Sequence, residues 1–188
     1  MKKDEEDCQR DSNMKKSFLA HSQQIFHFCY HLTGNRMDAE DLFQDTFLTA
    51  WEKRDVLRNQ ASDSQIKNYL LGITTHLWKN HQRKRLRRNR IAPSDDREDA
   101  LAEAVSTEQG PEGSLLQKEI LRELRKRVEA LPDRFRLVIV MYYAGEMSTE
   151  EIAEQLGIPA ATVRSRLNRA RKKLRKEFKE NGYERLYG

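Results

Sequence analysis

Apolar residues recur every three or four positions along most of this chain, in segments broken by short polar stretches, and that spacing predicts helices. The first segment carries Phe18, Ile25, Phe26, Phe28, Cys29, Tyr30 and Leu32 and stops at Thr33-Gly34-Asn35, a helix C-terminal signal. A second helix begins at Asp38. Its expected inward stripe is Ala39, Phe43, Phe47 and Ala50 with Trp51 at the edge, and its outward face is Asp41, Asp45, Leu48 and Glu52 with Gln44 alongside. Residues 58–64 are polar and loop-like, with Asp63 or Ser64 as the cap of the next helix. That helix is expected to bury Ile66, Leu70, Ile73 and Leu77 and to present Asn68, Gly72, Thr75, Lys79 and Arg83 on its far side.

The helical period returns through Leu116, Ile120, Leu124 and Val128 to Leu131-Pro132, and again through Phe135, Val138, Ile139 and Tyr142 to Gly145. Two short helices follow. Ser148 and Glu151 form an S-x-x-E capping box, Gly157 supplies a left-handed stop, and Pro159 suits the opening turn of the next helix. Ile152, Ala153 and Leu156 face Val163, Leu167, Ala170 and Leu174. At 100° per residue the last four fall in a stripe roughly 60° wide. The pattern is a helix-turn-helix. Its outer side holds Ala161, Ser165, Asn168 and Lys172 with Thr162 and Arg169 beside them, and Arg164, Arg166 and Arg171 at the flanks. Small and polar residues near the start of the second helix allow approach to base edges, while flanking arginines meet phosphates.

Charge sharpens this picture. Residues 164–179 hold nine basic side chains and one acid, Glu177, and residues 79–90 hold seven basic side chains and none acidic. Between them the balance inverts, since residues 92–114 carry seven acids and one arginine along with two prolines and two glycines. Such a stretch reads as a flexible linker, and its acidity is suited to shielding the basic faces when DNA is absent. The expected fold is therefore all-α: two small helical domains, residues 14–91 and 115–180, joined by a flexible acidic linker at 92–114. A disordered tail is expected at 1–13 and another tail at 181–188. Carboxylates on the face of Asp41 to Glu52 would be repelled by phosphates, so that face is read as a site for a basic partner helix anchored on Leu48.

Other chemistry is excluded or weakly supported. The 188 residues carry a formal charge of +5 and a pI near 9.2, which suits a polyanionic partner. No apolar run reaches the length of a membrane span and the N-terminus lacks a signal-peptide core, so a cytoplasmic location is expected, with no membrane insertion. Cys8 and Cys29 make no disulfide framework, and Cys29 points away from the face that His27 and His31 share, so no metal site is expected. Neither a phosphate loop, a nucleophile elbow nor a catalytic carboxylate pair is present. The protein is read as a non-enzyme without cofactor or small-molecule substrate.

Residues 32–53, LTGNRMDAEDLFQDTFLTAWEK, resemble the second conserved region of the extracytoplasmic-function sigma factors of bacterial RNA polymerase. Residues 131–176 resemble the fourth region of that family. The resemblance implies that Asp41, Gln44, Asp45, Leu48, Trp51 and Glu52 dock on core polymerase. It implies that Asn59, Gln60, Ala61 and Ser62 hold a flipped base of the minus-10 element, with Asn68, Thr75, Lys79, Asn80 and Arg83 along the adjoining DNA. Ala161, Thr162, Arg164, Ser165, Arg166, Asn168, Arg169 and Lys172 would then read the minus-35 element. An anti-sigma factor is a further implied partner. Tyr69 stands where many relatives carry tryptophan, and Thr75-His76 where an Arg-Asn pair is frequent, so the minus-10 preference does not transfer from a relative. A stand-alone helix-turn-helix regulator that needs no polymerase is the alternative, and the acidic face at Asp41 to Glu52 speaks against it. An RNA-binding role is weaker still, as nothing resembles an RNA-recognition module.

Overall fold

The computed structural model describes residues 2–57, 62–91 and 115–180, and these are helical apart from short connections. The acidic linker at 92–114, the tail at 181–188 and Asn59, Gln60 and Ala61 lie outside the described residues. The chain divides into two compact units, residues 1–30 with 37–99 and residues 100–188 with 31–36.

The first unit is built on α1 (Lys2–Ala20), α2 (Ser22–Thr33), α3 (Arg36–Glu52), a short 3-10 turn (Arg54–Leu57) and α4 (Asp63–Ile91). Residues 2–13, expected as a disordered tail, instead belong to α1. Their Lys, Glu, Gln and Arg are good helix formers, and extending a helix already anchored by buried Phe18 avoids the cost of nucleation. A tertiary tie adds to this, because Arg54 Nε donates to Asp11 Oδ1 at 3.2 Å.

Two helices are rotated from the expected orientation. On α3 the buried stripe is Ala39, Leu42, Thr46 and Ala50, while Phe43 and Phe47 are half-buried. These rings flank the core: Phe43 meets Phe26 edge-on at 5.7 Å and Phe47 meets Phe18 at 6.1 Å. On α4 the buried residues are Ile66, Leu70, Leu71, Thr74, Thr75 and Trp78, with Ile73 and Leu77 only half-buried. The face is turned by roughly 80°, most of one residue step. Buried threonines are the reason. Thr46 Oγ1 lies 2.7 Å from the Leu42 carbonyl and 3.1 Å from Thr74 Oγ1, and the Thr74 hydroxyl donates to the Leu70 carbonyl at 2.9 Å. A hydroxyl bonded to its own preceding turn can enter a core without an unmet polar group. Cys29 shares this interior, and burial pushes its thiol up to about 12 against the opposing effect of hydrogen bonds that include Thr74. Such a thiol is unreactive near neutral pH.

The second unit holds α5 (Leu115–Ala130), α6 (Asp133–Tyr143), α7 (Thr149–Leu156) and α8 (Ala160–Glu180). Every residue of α6 from Phe135 to Met141 is buried, which makes it the central helix of the unit. In the turn after it Glu146 lies in the left-handed region at φ +53°. At the far end of α8, Phe178 is buried and Arg127 of α5 lies 4.9 Å over its ring while donating to the Glu177 carbonyl at 2.9 Å. This contact holds the end of a highly charged helix against the unit.

Candidate nucleic-acid interface

The helix-turn-helix is set by local chemistry. Ser148 Oγ accepts from the Glu151 amide at 3.1 Å and Glu151 Oε2 accepts from the Ser148 amide at 2.8 Å, so the capping box is complete. Gly157 then sits at φ +64°. The Gly157 amide reaches the Glu154 carbonyl at 3.2 Å and the Ile158 amide the Ala153 carbonyl at 3.1 Å, the two bonds of a Schellman stop. Val163, Leu167 and Ala170 of α8 are buried and Leu174 is half-buried. The opposite side stands as the spacing implied: Ala161, Arg164, Ser165, Asn168, Arg169 and Lys172 are exposed, and Thr162 and Arg166 are half-buried.

Five of these side chains converge. Ala161, Thr162, Ser165, Arg166 and Arg169 line a shallow cleft of about 440 Å³ whose other wall is Arg134 and Phe135 of α6. Arg134 and Phe135 were missed by the sequence reading, because their position beside α8 depends on the packing of α6 and not on any local pattern. The cleft is polar and carries three arginines, a surface with the donors that a polyanion or a base edge can accept from. Arg164 stands apart, its Nη1 3.2 Å from Glu150 Oε1 at an exposed position. Glu150 has its carboxyl held below the usual range, first by the Thr149 hydroxyl and its own backbone, and less by Arg164. Arg171, expected at a phosphate-facing flank, donates from Nε to Tyr143 Oη at 3.0 Å and lies over the rings of Tyr142 and Tyr143 at 5.3 and 5.6 Å.

In the first unit, the start of α4 is capped by neither Asp63 nor Ser64. Ser62 fills that role: its amide donates to Gln65 Oε1 at 2.8 Å, and the Gln65 amide donates to Ser62 Oγ at 3.3 Å. This is a second capping box, S-x-x-Q, legible in the sequence once the helix start is known. Of the strip assigned to α4, Arg83 is exposed, Asn68, Lys79 and Asn80 are half-buried, and Thr75 is in the core at 2% exposure. The rotation of α4 brings His76 outward in place of Thr75, in line with Tyr69, Gly72 and Arg83. Tyr69 donates to the Lys53 carbonyl at 3.3 Å, and its partly buried hydroxyl has its pKa raised by desolvation. Thr75 Oγ1 has no hydrogen-bond partner. Replacing a buried, unpaired hydroxyl by a methyl is neutral or favourable, so Thr75→Val is expected to raise stability by up to about 1 kcal/mol without altering base selection. Thermal melting and a minus-10 selection experiment check both halves, and altered selection with an unchanged midpoint would return Thr75 to the surface.

The acidic face of α3 stands as the spacing implied. Asp41, Gln44, Asp45, Leu48 and Glu52 are all exposed, Leu48 at 63%. Asp45 Oδ2 has His81 Nε2 of α4 at 3.8 Å. Trp51 departs from this face. It is half-buried, with the Arg54 guanidinium 4.5 Å and Lys15 Nζ 5.1 Å from its ring centroid.

Comparison with known proteins follows this division. The family model described as Sigma-70 region 2 matches residues 18–88, and that described as Sigma-70, region 4 matches residues 121–174. The chain is 29% identical over 167 residues to the ECF RNA polymerase sigma factor SigW of Bacillus subtilis, covering 85% of this chain and 86% of that protein. It is 31% identical over 140 residues to the ECF RNA polymerase sigma-E factor of Escherichia coli, covering 71% of this chain and 70% of that one. The solved structure of the sigma factor RpoE in complex with the anti-sigma factor NepR from Bartonella quintana superposes with a TM-score of 0.70 at 27% identity, covering 89% of this chain and 97% of the other.

Proposed function

The chain belongs to the extracytoplasmic-function sigma factors of the sigma-70 family, which direct promoter-specific transcription initiation by RNA polymerase, and from that premise we propose how its two units divide the work. The exposed face of α3 docks on core polymerase through Leu48 and the ring of Asp41, Gln44, Asp45 and Glu52. A basic helix is the complementary surface, since an apolar anchor inside a charged rim is the arrangement that excludes water from a hot spot. Asn59 to Ser62 take the flipped base of the minus-10 element. His76, Lys79, Asn80 and Arg83 then follow the adjoining DNA, with Asn68 at the margin and Thr75 outside the set. Unpairing and flipping a base costs a few kcal/mol, which backbone contacts and the polar pocket must offset. The cleft on α8 reads the minus-35 element.

One observation supports this reading: the same chain joins a helix-turn-helix with an arginine-lined cleft to a strongly acidic, apolar-anchored face that DNA would repel. A stand-alone regulator has no use for the second surface. The Bartonella relative is held by an anti-sigma factor, and we propose a partner of that class here as well. Among the described residues no helix is long and apolar enough to cross a membrane, and the proposed place of action is the cytoplasm, where polymerase and promoters meet.

Run-off transcription with purified bacterial core polymerase and a randomised promoter library tests the proposal. Transcripts sharing a minus-35 and a minus-10 motif at fixed spacing are expected. Absence of specific transcripts, with retained binding of the protein alone to discrete DNA sites, would establish the stand-alone regulator instead.

A further inference from the structure

Two large apolar side chains of α3 stand in solvent: Met37 is 75% exposed and Leu48 63%. Three turns of helix separate them, which puts them about 20° apart in azimuth and about 16 Å apart along the axis. Asp41, Gln44, Asp45 and Glu52 fall in the same stripe, about 100° wide, and all are exposed. The buried residues Ala39, Leu42, Thr46 and Ala50 lie on the other side. The other exposed apolar residues of the first unit, Leu19, Val56 and Leu86, each stand on a different element. A single exposed apolar residue is ordinary surface, whereas two aligned on one charged helix face leave apolar area uncovered at both ends of it.

We propose that Met37 is a second apolar anchor of the docking face, and that the occupant is one helix of core polymerase lying along α3, basic at its middle and apolar at two points about 16 Å apart. The inference rests on the reading that this face of α3 docks on core polymerase. Positions 37, 41, 44 and 48 alternate steps of four and three, the spacing by which one helix seats along another in coiled-coil packing. Met37 and Leu48 close the two ends of that seam, and Asp41, Gln44 and Asp45 fill its middle. Trp51 is the next position in the same order, but Arg54 and Lys15 already lie over its ring, so the seam ends at Leu48. Basic side chains on the partner then meet the carboxylates, while its apolar residues take Met37 and Leu48 out of water. An unbranched thioether suits the outer anchor, because it adapts to an irregular apolar surface.

Titration of the full chain with purified core polymerase tests the proposal. Met37→Ala is expected to lower affinity by roughly five- to tenfold, and Met37→Leu to keep it within about twofold. Sites this far apart act independently, so Met37→Ala combined with Leu48→Ala should lose about the product of the two single losses. Melting temperature and affinity for minus-35 duplex should not change. A photo-crosslinking side chain carried at position 37 and, separately, at position 48 is expected to mark one polymerase helix at two points about three turns apart. Crosslinks on unconnected segments would overturn the single-helix partner. An affinity loss that follows a fall in melting temperature would make Met37 a folding residue and overturn the anchor. If the second anchor alone is wrong, Met37→Ala binds as wild type while Leu48→Glu does not. If α3 is not the docking surface, both variants bind as wild type, and the second anchor falls with that reading.

Discussion

Leu48→Glu is expected to cut affinity for core RNA polymerase by about 30-fold or more, the factor that corresponds to losing a hot spot of roughly 2 kcal/mol. Leu48 is 63% exposed, on the side of α3 opposite Ala39, Leu42, Thr46 and Ala50. Nothing in the free protein is gained from that exposure. The neighbours Asp41, Gln44, Asp45 and Glu52 are exposed as well, so an inserted glutamate meets no apolar contact that it would disrupt on folding. In the complex the same glutamate would be an uncompensated carboxylate in a desolvated pocket, beside three others of like charge. Loss of binding and retention of fold are thus two separate expectations. Surface changes of this kind shift stability by about 0.5 kcal/mol or less, and circular dichroism melting measures that alongside a polymerase titration. Full retention of polymerase affinity would remove α3 from the docking surface, and a collapse of the melting temperature would show Leu48 to be a core residue.

How far such positions could be read without coordinates depended on whether the determining contacts were local. The helix-turn-helix was legible because a capping box, a left-handed glycine and a stripe of aliphatic residues act within one or two turns, and all stand where the spacing put them. The outward face of α3 was legible for a similar reason, since carboxylates repeating at helical spacing have no place in an interior. Its inner face was less so: Phe43 and Phe47 looked like the core by size, while Leu42 and Thr46 occupy it. On α4 the error is larger, and it comes from treating threonine as a surface residue. Thr74 is buried because a helix supplies its own acceptor to a threonine hydroxyl and Thr46 on the facing helix supplies a second partner. Thr75 and Trp78 go inward on the same turned face, Thr75 with its hydroxyl unpaired. The charged start of α1 gave no apolar stripe from which to infer order. Its ties through Asp11 and Lys15 reach residues some forty positions away, which periodicity does not see.

Arg169→Ala and Arg171→Ala, two residues apart on α8, are expected to fail in different ways. Arg169 lines the cleft with Ala161, Thr162 and Ser165, and a bidentate arginine contact to a base edge contributes about 1 to 3 kcal/mol of discrimination. Its loss should therefore weaken preferred minus-35 sequences and spare poor ones, flattening the selection profile. Arg171 has a different occupation. Spacing alone assigned it to a phosphate, with a uniform loss across promoters as the expected result of its removal. In the structure its guanidinium is held by the Tyr143 hydroxyl and stacked on two tyrosine rings, so it braces α8 against the end of α6. Exposed cation–π contacts are worth about 0.5 to 1 kcal/mol each, and Arg171→Ala should lower the stability of the second unit by about 1 kcal/mol. A phosphate-binding arginine would also leave a mark on salt dependence, reducing the slope of log affinity against log salt by about 1 when removed. An unchanged slope with a lowered melting temperature is the result expected for Arg171→Ala. A slope reduced by about 1 with stability retained would place its guanidinium on the DNA backbone after all. A uniform loss across all minus-35 sequences for Arg169→Ala would take base reading away from the cleft.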